Sequence, residues 1–170
     1  MCYPVGGAEY WSGSTVKDRI AGSLAMAAYA REVAKNYDVT IALHTDHCAK
    51  QNLDSWTEQL MHMEAEEVKA GRLPWFQSHM WDGSAIPLDE NLEIAKRLLQ
   101  LAVDSHTVLE IEVGAVGGEE DGVVGEINEK LYTSTADAIK TVEALGLGEK
   151  GRYITALTFG NVHGAYKPGH

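Results

Sequence analysis

Cysteines and basic residues are scarce in this sequence, and long apolar runs are missing. The two cysteines, Cys2 and Cys48, form no CxxC pair and are too few for a disulfide framework, so a reduced protein is expected. The 14 lysines and arginines are scattered and stand against 25 aspartates and glutamates, which argues against nucleic acid or an anionic membrane surface as a partner. No apolar stretch reaches the ~20 residues of a membrane span, and no signal peptide begins the chain. We therefore expect a soluble, cytoplasmic protein.

Helical and strand patterns alternate along the 170 residues, of which 45% are hydrophobic. Helical spacing predicts four helices, over 14–38, 53–71, 88–106 and 135–145. Candidate N-caps are Ser14 or Thr15 for the first helix and Asp54 or Ser55 for the second. Short apolar runs predict four strands, over 39–45, 75–82, 107–114 and 153–164, the first of them buried on both faces. This alternation implies right-handed crossovers and a parallel sheet.

Polar side chains recur where these strands end, as Asp46 and His47, His79 and Asp82, Glu110 and Glu112, and Asn161 and His163. A doubly wound sheet and part of a (β/α) barrel both fit the order of elements. Functional residues at successive strand ends favour the barrel, in which several strand ends converge on one site. Four units are half of an eight-stranded barrel and would leave two unpaired parallel edges.

Imidazoles and carboxylates at these strand ends are suitable ligands for zinc. His47 and His163 could bind a metal together with Asp82 and Glu112, and a site with open positions would be catalytic. The plainer interpretation is that the histidines are hydrogen-bonded residues at the rim of the core. Glu110 and Glu112 share one face of a strand, where a buried carboxylate requires a cation or an arginine.

Three further groups stand close to these candidates in the sequence. The acidic, glycine-rich segment 117–122 is either a solvated loop or a mobile lid that brings Glu119 or Glu120 over the site. His44 and His79 could orient the metal ligands without touching the metal.

Four stretches, "LHTDHCAK", "FQSHMWDGSA", "LEIEVGAVGGEEDG" and "FGNVHGAYKPG", occur in the order found in a known family. With them the chain resembles the class II, zinc-dependent fructose-bisphosphate aldolases, and "HMWDGSAIPLDENLEIA" is similar to the actinobacterial branch. The resemblance runs from about Gly6 to Gly169. It implies an incomplete TIM barrel of the α/β class, with residues 1–170 as a single partial domain.

The resemblance also implies roles for the residues at the strand ends. Asp46 matches the aspartate that exchanges a proton with the substrate during C–C bond cleavage or formation. His47 and His163 match ligands of the catalytic zinc. Asp82 and Glu112 match residues that hold zinc in an alternative, buried position.

Further positions match the part of the family's site that handles the substrate. Glu120 matches a catalytic glutamate that moves a proton of dihydroxyacetone phosphate. Gly164 and Lys167 match positions near the bound triose phosphate, and Asn161 is placed with them as substrate-binding. The implied partner is a phosphorylated sugar, and the complete enzyme is expected to be a homodimer.

The chain departs from the family's pattern in ways that bear on activity. The family's third histidine ligand, in an "FHGGSGS"-like stretch, its phosphate loop and its first barrel strand have no match here. Tyr3, Pro4 and Val5 stand where relatives have a serine. The chain is therefore expected to be an internal part of an aldolase with little or no activity alone. The alternatives are a non-catalytic remnant that at most binds metal, and an aldolase acting on another ketose bisphosphate, such as tagatose bisphosphate.

Overall fold

The computed structural model describes residues 17–114 and 132–160 with Ala8, and the backbone alone of 2–3, 117–120, 123–125 and 162–163. The helices are α1 Arg19–Ala34, α2 Lys50–Leu53, α3 Thr57–Lys69, α4 Leu88–Asp104 and α5 Thr135–Leu145. The strands are β1 Cys2–Tyr3, β2 His44–Thr45, β3 Ser78–Trp81, β4 Val108–Val113, β5 Gly117–Glu120, β6 Val123–Gly125, β7 Tyr153–Leu157 and β8 Val162–His163.

The main sheet is parallel and has the strand order β1-β2-β3-β4-β7. Each helix-linked strand lies beside the one before it, without the reversal of order that marks a doubly wound sheet. This sequential order is that of a barrel, so the predicted α/β fold with an incomplete TIM barrel is confirmed. β1 adds a short fifth strand that the sequence patterns did not predict. Among the described residues, β1 and β7 each have one neighbouring strand and form the edges.

The helices cover one face of this sheet with apolar side chains. α4 shows the predicted amphipathic face, since its buried residues include Leu92, Ala95, Leu98, Leu99 and Ala102. The largest buried side chains of the core include Trp56, Trp81 and Phe76. The opposite face of the sheet carries the polar residues of the candidate site.

Two helices begin later than predicted. α1 starts at Arg19, and its N-cap is Asp18, whose carboxylate accepts hydrogen bonds from the backbone N–H groups of Ile20 and Ala21. Ser14 and Thr15 lie outside the described residues. α3 starts at Thr57 after the short helix α2, and its N-cap Trp56 makes no side-chain capping bond. The caps proposed at Asp54 and Ser55 are therefore wrong, because the chain turns at 54–56 to bury the Trp56 ring.

The first predicted strand is shorter than its apolar run. β2 contains only His44 and Thr45, and Val39 and Ile41 are exposed, so burial on both faces is wrong for 39–42. In the described part of the chain, β1 reaches only Cys2–Tyr3 and β3 begins at Ser78, so neither pairs with 39–42. An apolar run that pairs with no strand among the described residues does not itself become a sheet strand.

The acidic connection after β4 contains regular structure that the sequence did not indicate. β5 and β6 pair antiparallel, and β5 also pairs parallel with β8 through Gly117↔Val162 and Gly118↔His163. These three strands form a second, small sheet. None of the described helices combines the length and the apolar composition that a membrane-spanning helix requires.

Candidate metal centre

Three of the predicted metal ligands meet at the carboxyl ends of neighbouring strands. His47 follows β2, Asp82 follows β3 directly, and Glu112 lies near the end of β4. The segment after β2 stays beside the end of β3, because the Asp82 N–H donates to the carbonyl of Cys48 at 3.1 Å. Ala49 and Asp82 form a parallel bridge next to this bond. The backbone of three strands thus fixes where the three side chains start.

We call His47, Asp82 and Glu112 the metal cluster. One ligand atom from each residue lies within 4.8 Å of the other two. His47 Nδ1 is 3.3 Å from Glu112 Oε2 and 3.5 Å from Asp82 Oδ2. Glu112 is 3% exposed, whereas His47 and Asp82 are half-buried and reachable from solvent. The cluster is therefore accessible to solvent at His47 and Asp82 and shielded from solvent at Glu112.

The Asp82 carboxylate is held ionised in this setting. Burial alone would raise the pKa of Asp82, but hydrogen bonds from His47 and Ser84 outweigh it and lower the pKa. The N–H and Oγ of Ser84 both donate to Asp82 Oδ1, at 3.0 and 2.6 Å. This leaves Oδ2 directed towards His47. The residue therefore presents one negative oxygen to the centre of the cluster.

Glu112 provides the test of whether a metal fits. Its Oε2 is buried and has no hydrogen-bond partner among the described residues, and the 3.3 Å contact with His47 lacks hydrogen-bond geometry. An unpaired carboxylate oxygen in a buried position is costly unless a positive charge compensates it. Two carboxylates and an imidazole are ligands that divalent transition metals accept. The donor set and the orphaned oxygen together fit a divalent cation.

A second polar group lies on the same sheet face, beside the metal cluster. His44 Nδ1 is 2.8 Å from Ser78 Oγ, and His44 Nε2 is 3.3 Å from Glu110 Oε2. Burial lowers the pKa of His44. Burial, and then the charge of Asp46, raises the pKa of Glu110. Both shifts disfavour the charged forms, so the contact is not counted as an ion pair, and Asp46 lies close enough to act on this group.

Behind the sheet, a buried network supports the end of β2. Thr45 Oγ1 is 2.9 Å from His79 Nδ1, and His79 Nε2 is 2.7 Å from Glu64 Oε2. Glu64 Oε1 accepts a hydrogen bond from the Phe76 N–H at 2.8 Å. Thr45, His79 and Glu64 are fully buried. His79, which could orient a metal ligand, contacts Thr45, two residues before His47, and Glu64.

Sequence reasoning missed two buried polar residues, Glu64 and Asn91. Both occupy core positions of an amphipathic helix, Glu64 beside Leu60 and Asn91 beside Leu92. A carboxylate or an amide on the apolar stripe of a helix was the signal that could have found them.

The remaining predicted site residues are only partly described. Glu120 and His163 are described as backbone, in β5 and β8, and these two strands are neighbours. Asn161, Gly164 and Lys167 lie outside the described residues.

Comparison with known proteins shows which family the chain is similar to. A family model described as "Fructose-bisphosphate aldolase class-II" matches residues 8–170. The fructose-bisphosphate aldolase of Mycobacterium tuberculosis is 57% identical over 168 residues, 99% of this chain and 49% of that protein. The one from Streptomyces coelicolor is 58% identical over 165 residues, 97% of this chain and 48% of that protein.

A solved structure is similar over the same extent. The crystal structure of fructose-bisphosphate aldolase from Campylobacter jejuni has a TM-score of 0.77 and 36% sequence identity, covering 99% of this chain and 47% of that one. The chain thus spans about half the length of the curated relatives it matches.

Proposed function

Because this chain belongs to the class II fructose-bisphosphate aldolase family, we propose that it forms the metal-binding part of an aldolase site. The reaction would be the reversible cleavage of fructose 1,6-bisphosphate to dihydroxyacetone phosphate and glyceraldehyde 3-phosphate, in glycolysis and gluconeogenesis. The observation that carries the proposal is the buried Glu112 oxygen, which accepts no hydrogen bond from the described residues and lies beside His47 and Asp82. A carboxylate in this state needs a cation, and the family is metal-dependent.

Zinc is the metal that we propose for the site. Asp82 and Glu112 would hold it in the buried position, and His47 with His163 would hold it nearer the substrate. When bound, zinc supplies a Lewis acid that polarises the ketone of the substrate. The mixture of imidazole and carboxylate ligands supports zinc over magnesium, which prefers oxygen ligands.

The chain's own proton-transfer groups would be Asp46 and Glu120. Asp46 is half-buried, precedes His47 directly in the chain, and lies close enough for its charge to act on His44 and Glu110. A carboxylate outside the metal cluster is therefore available beside it in the sequence. Such a group contributes about 10²–10⁴-fold to a reaction of this kind. Glu120 lies on β5, beside the strand that carries His163.

Substrate binding would use the segment after β8. Asn161, Gly164 and Lys167 are the proposed contacts to the phosphorylated sugar. We further propose that the chain acts as a single partial barrel domain of a cytoplasmic homodimer. Since the chain spans about half the length of its relatives, we expect the 170 residues alone to bind metal but to turn over substrate weakly or not at all.

The test replaces the matching half of a full-length relative by this chain. The chimera should bind zinc and cleave fructose 1,6-bisphosphate. Asp46→Ala should keep zinc while turnover falls by about 10²–10⁴-fold, because a proton-transfer group is removed and no ligand is lost. Asp54→Ala, at an exposed carboxylate, is the matched control and should leave both unchanged.

Each outcome of this test separates the candidates. Normal turnover by Asp46→Ala would remove that residue from the mechanism. Zinc binding without cleavage of any ketose bisphosphate would favour the non-catalytic remnant, and preferential cleavage of tagatose bisphosphate would favour the related aldolase. A chimera that neither binds zinc nor cleaves substrate would reject the proposed function.

A further inference from the structure

We infer that Asn91 on α4 is a positioning residue for the metal cluster, because its amide joins the strand end that carries Glu112 to the strand end that precedes Asp82. The inference rests on the proposed function, since it assigns a role in holding the ligands of the proposed metal. Asn91 itself is not one of the three cluster residues.

Both ends of the Asn91 amide are bonded inside the protein. Asn91 Nδ2 donates to the backbone carbonyl of Glu112 at 2.8 Å. Asn91 Oδ1 accepts from Trp81 Nε1 at 2.7 Å, and Trp81 is the residue before Asp82. Asn91 is 2% exposed and Trp81 is fully buried, so water does not compete for these bonds. One side chain therefore fixes groups at the ends of both β3 and β4.

These bonds lie where the sheet stops holding the two strands together. Pairing between β3 and β4 ends at Trp81↔Ile111. The Glu112 carbonyl, one residue further along β4, is bonded by Asn91 instead. The amide thus continues the connection between the strands at the level of the metal cluster, where the ladder itself has ended.

The backbone after Asp82 also rests against this amide. A Cβ placed on Gly83 would lie 2.1 Å from Asn91 Cγ, which is far inside van der Waals contact. Asn91 cannot move aside cheaply, because both ends of its amide are hydrogen-bonded. Asn91 therefore contacts both chain neighbours of Asp82. It accepts a hydrogen bond from Trp81, the residue before Asp82, and it packs against Gly83, the residue after it.

Packing alone does not explain an asparagine at this position. Asn91 lies on the buried face of α4 among leucines and alanines. An apolar residue would be the better helix former there and would carry no desolvation penalty. The amide is useful because it meets a donor and an acceptor at fixed places, which an apolar side chain cannot do.

The experiment compares four variants of the 170-residue chain. Asn91→Asp keeps the acceptor for Trp81 and loses the donor to Glu112, and Asn91→Leu loses both. Trp81→Phe removes the Trp81 donor together with part of a buried ring, and it keeps the inference falsifiable if the Asn91 variants do not fold. Trp56→Phe is the matched control, because it removes the same part of an equally buried ring, and the Trp56 donor bonds Ser23 Oγ (2.9 Å), which belongs neither to the metal cluster nor to the Asn91 amide.

Binding of Co²⁺ is followed by the absorption spectrum of the bound ion, and Zn²⁺ affinity by competition. Thermal unfolding of the metal-free proteins measures the loss of stability separately. Asn91→Asp and Asn91→Leu should weaken binding by about 10–100-fold, the range for groups that orient metal ligands, and should change the Co²⁺ spectrum. Trp81→Phe should act in the same direction with a smaller effect. Trp56→Phe should lower stability and leave affinity and spectrum unchanged.

Two results would overturn the inference alone. One is an unchanged Co²⁺ spectrum and affinity in Trp81→Phe and in whichever Asn91 variants fold. The other is a loss of metal affinity in Trp56→Phe as large as the loss in Trp81→Phe, which would show that metal binding follows general stability. If the unaltered chain binds neither Co²⁺ nor Zn²⁺, the proposed function fails first, and the role of Asn91 in it fails with it.

Discussion

Replacement of Glu64 by leucine should destabilise the protein far more than its place in the middle of an amphipathic helix suggests. Glu64 is fully buried and accepts the Phe76 N–H on one oxygen while its other oxygen lies 2.7 Å from His79 Nε2. Leucine has a similar volume, so no large cavity opens. The change leaves the Phe76 N–H and the His79 ring nitrogen buried without a partner.

The expected size follows from these two groups. Each buried group left unsatisfied costs about 1–3 kcal/mol. Because two such groups are left, we expect Glu64→Leu to lower the free energy of unfolding by about 2–6 kcal/mol. Glu64→Gln retains a carbonyl for Phe76 and an N–H for His79, so it should cost only about 1 kcal/mol.

Urea unfolding of the metal-free chain, followed by circular dichroism and tryptophan fluorescence, measures this difference. The slope of the unfolding free energy against urea concentration should be the same in all variants, because the surface exposed on unfolding does not change. Glu66→Leu, at an exposed position of the same helix, controls for the loss of a glutamate from α3 and should change stability little. A Glu64→Leu protein as stable as Glu64→Gln would contradict this prediction, since it would mean that the buried hydrogen bonds of Glu64 contribute nothing to stability.

Three further changes test other parts of the structure. Burial lowers the pKa of His44 below its usual 6.5, so the unfolded chain binds a proton more readily there, and the free energy of unfolding should fall as the pH drops below about 6.5. The fall should be smaller in His44→Gln, and urea unfolding at several pH values measures it. Ser134→Ala removes the capping bond of α5 and should lower the free energy of unfolding by about 1 kcal/mol; no change would mean that the cap is not formed in solution. Gly114→Ala should lower the unfolding temperature more than Gly148→Ala. Both glycines have positive φ, but an added Cβ would lie 2.4 Å from Thr158 Oγ1 at Gly114 and would meet nothing within 4 Å at Gly148. Equal losses would leave backbone strain as the only cause.

The class of fold and the main candidates for the metal cluster follow from the amino-acid sequence alone. Alternating helical and strand periods imply a parallel sheet, and parallel strands bring their carboxyl ends to one edge. The sequence therefore predicts that His47, Asp82 and Glu112 lie together, although they are 30 or more residues apart in the chain. The rule needs only the order of elements and the position of each residue at the end of its strand.

The groups that hold this edge of the sheet in place could be identified only from the folded structure. A helical pattern shows that Glu64 and Asn91 fall on buried faces, but it does not show which donors and acceptors lie opposite them. Their partners His79 and Glu112 are 15 and 21 residues away and on other elements. The length of β2 was likewise decided by its neighbours, since an apolar run such as 39–42 becomes a strand only where another strand supplies hydrogen bonds. Pairing across the fold is a property of two segments together, and no single segment contains it.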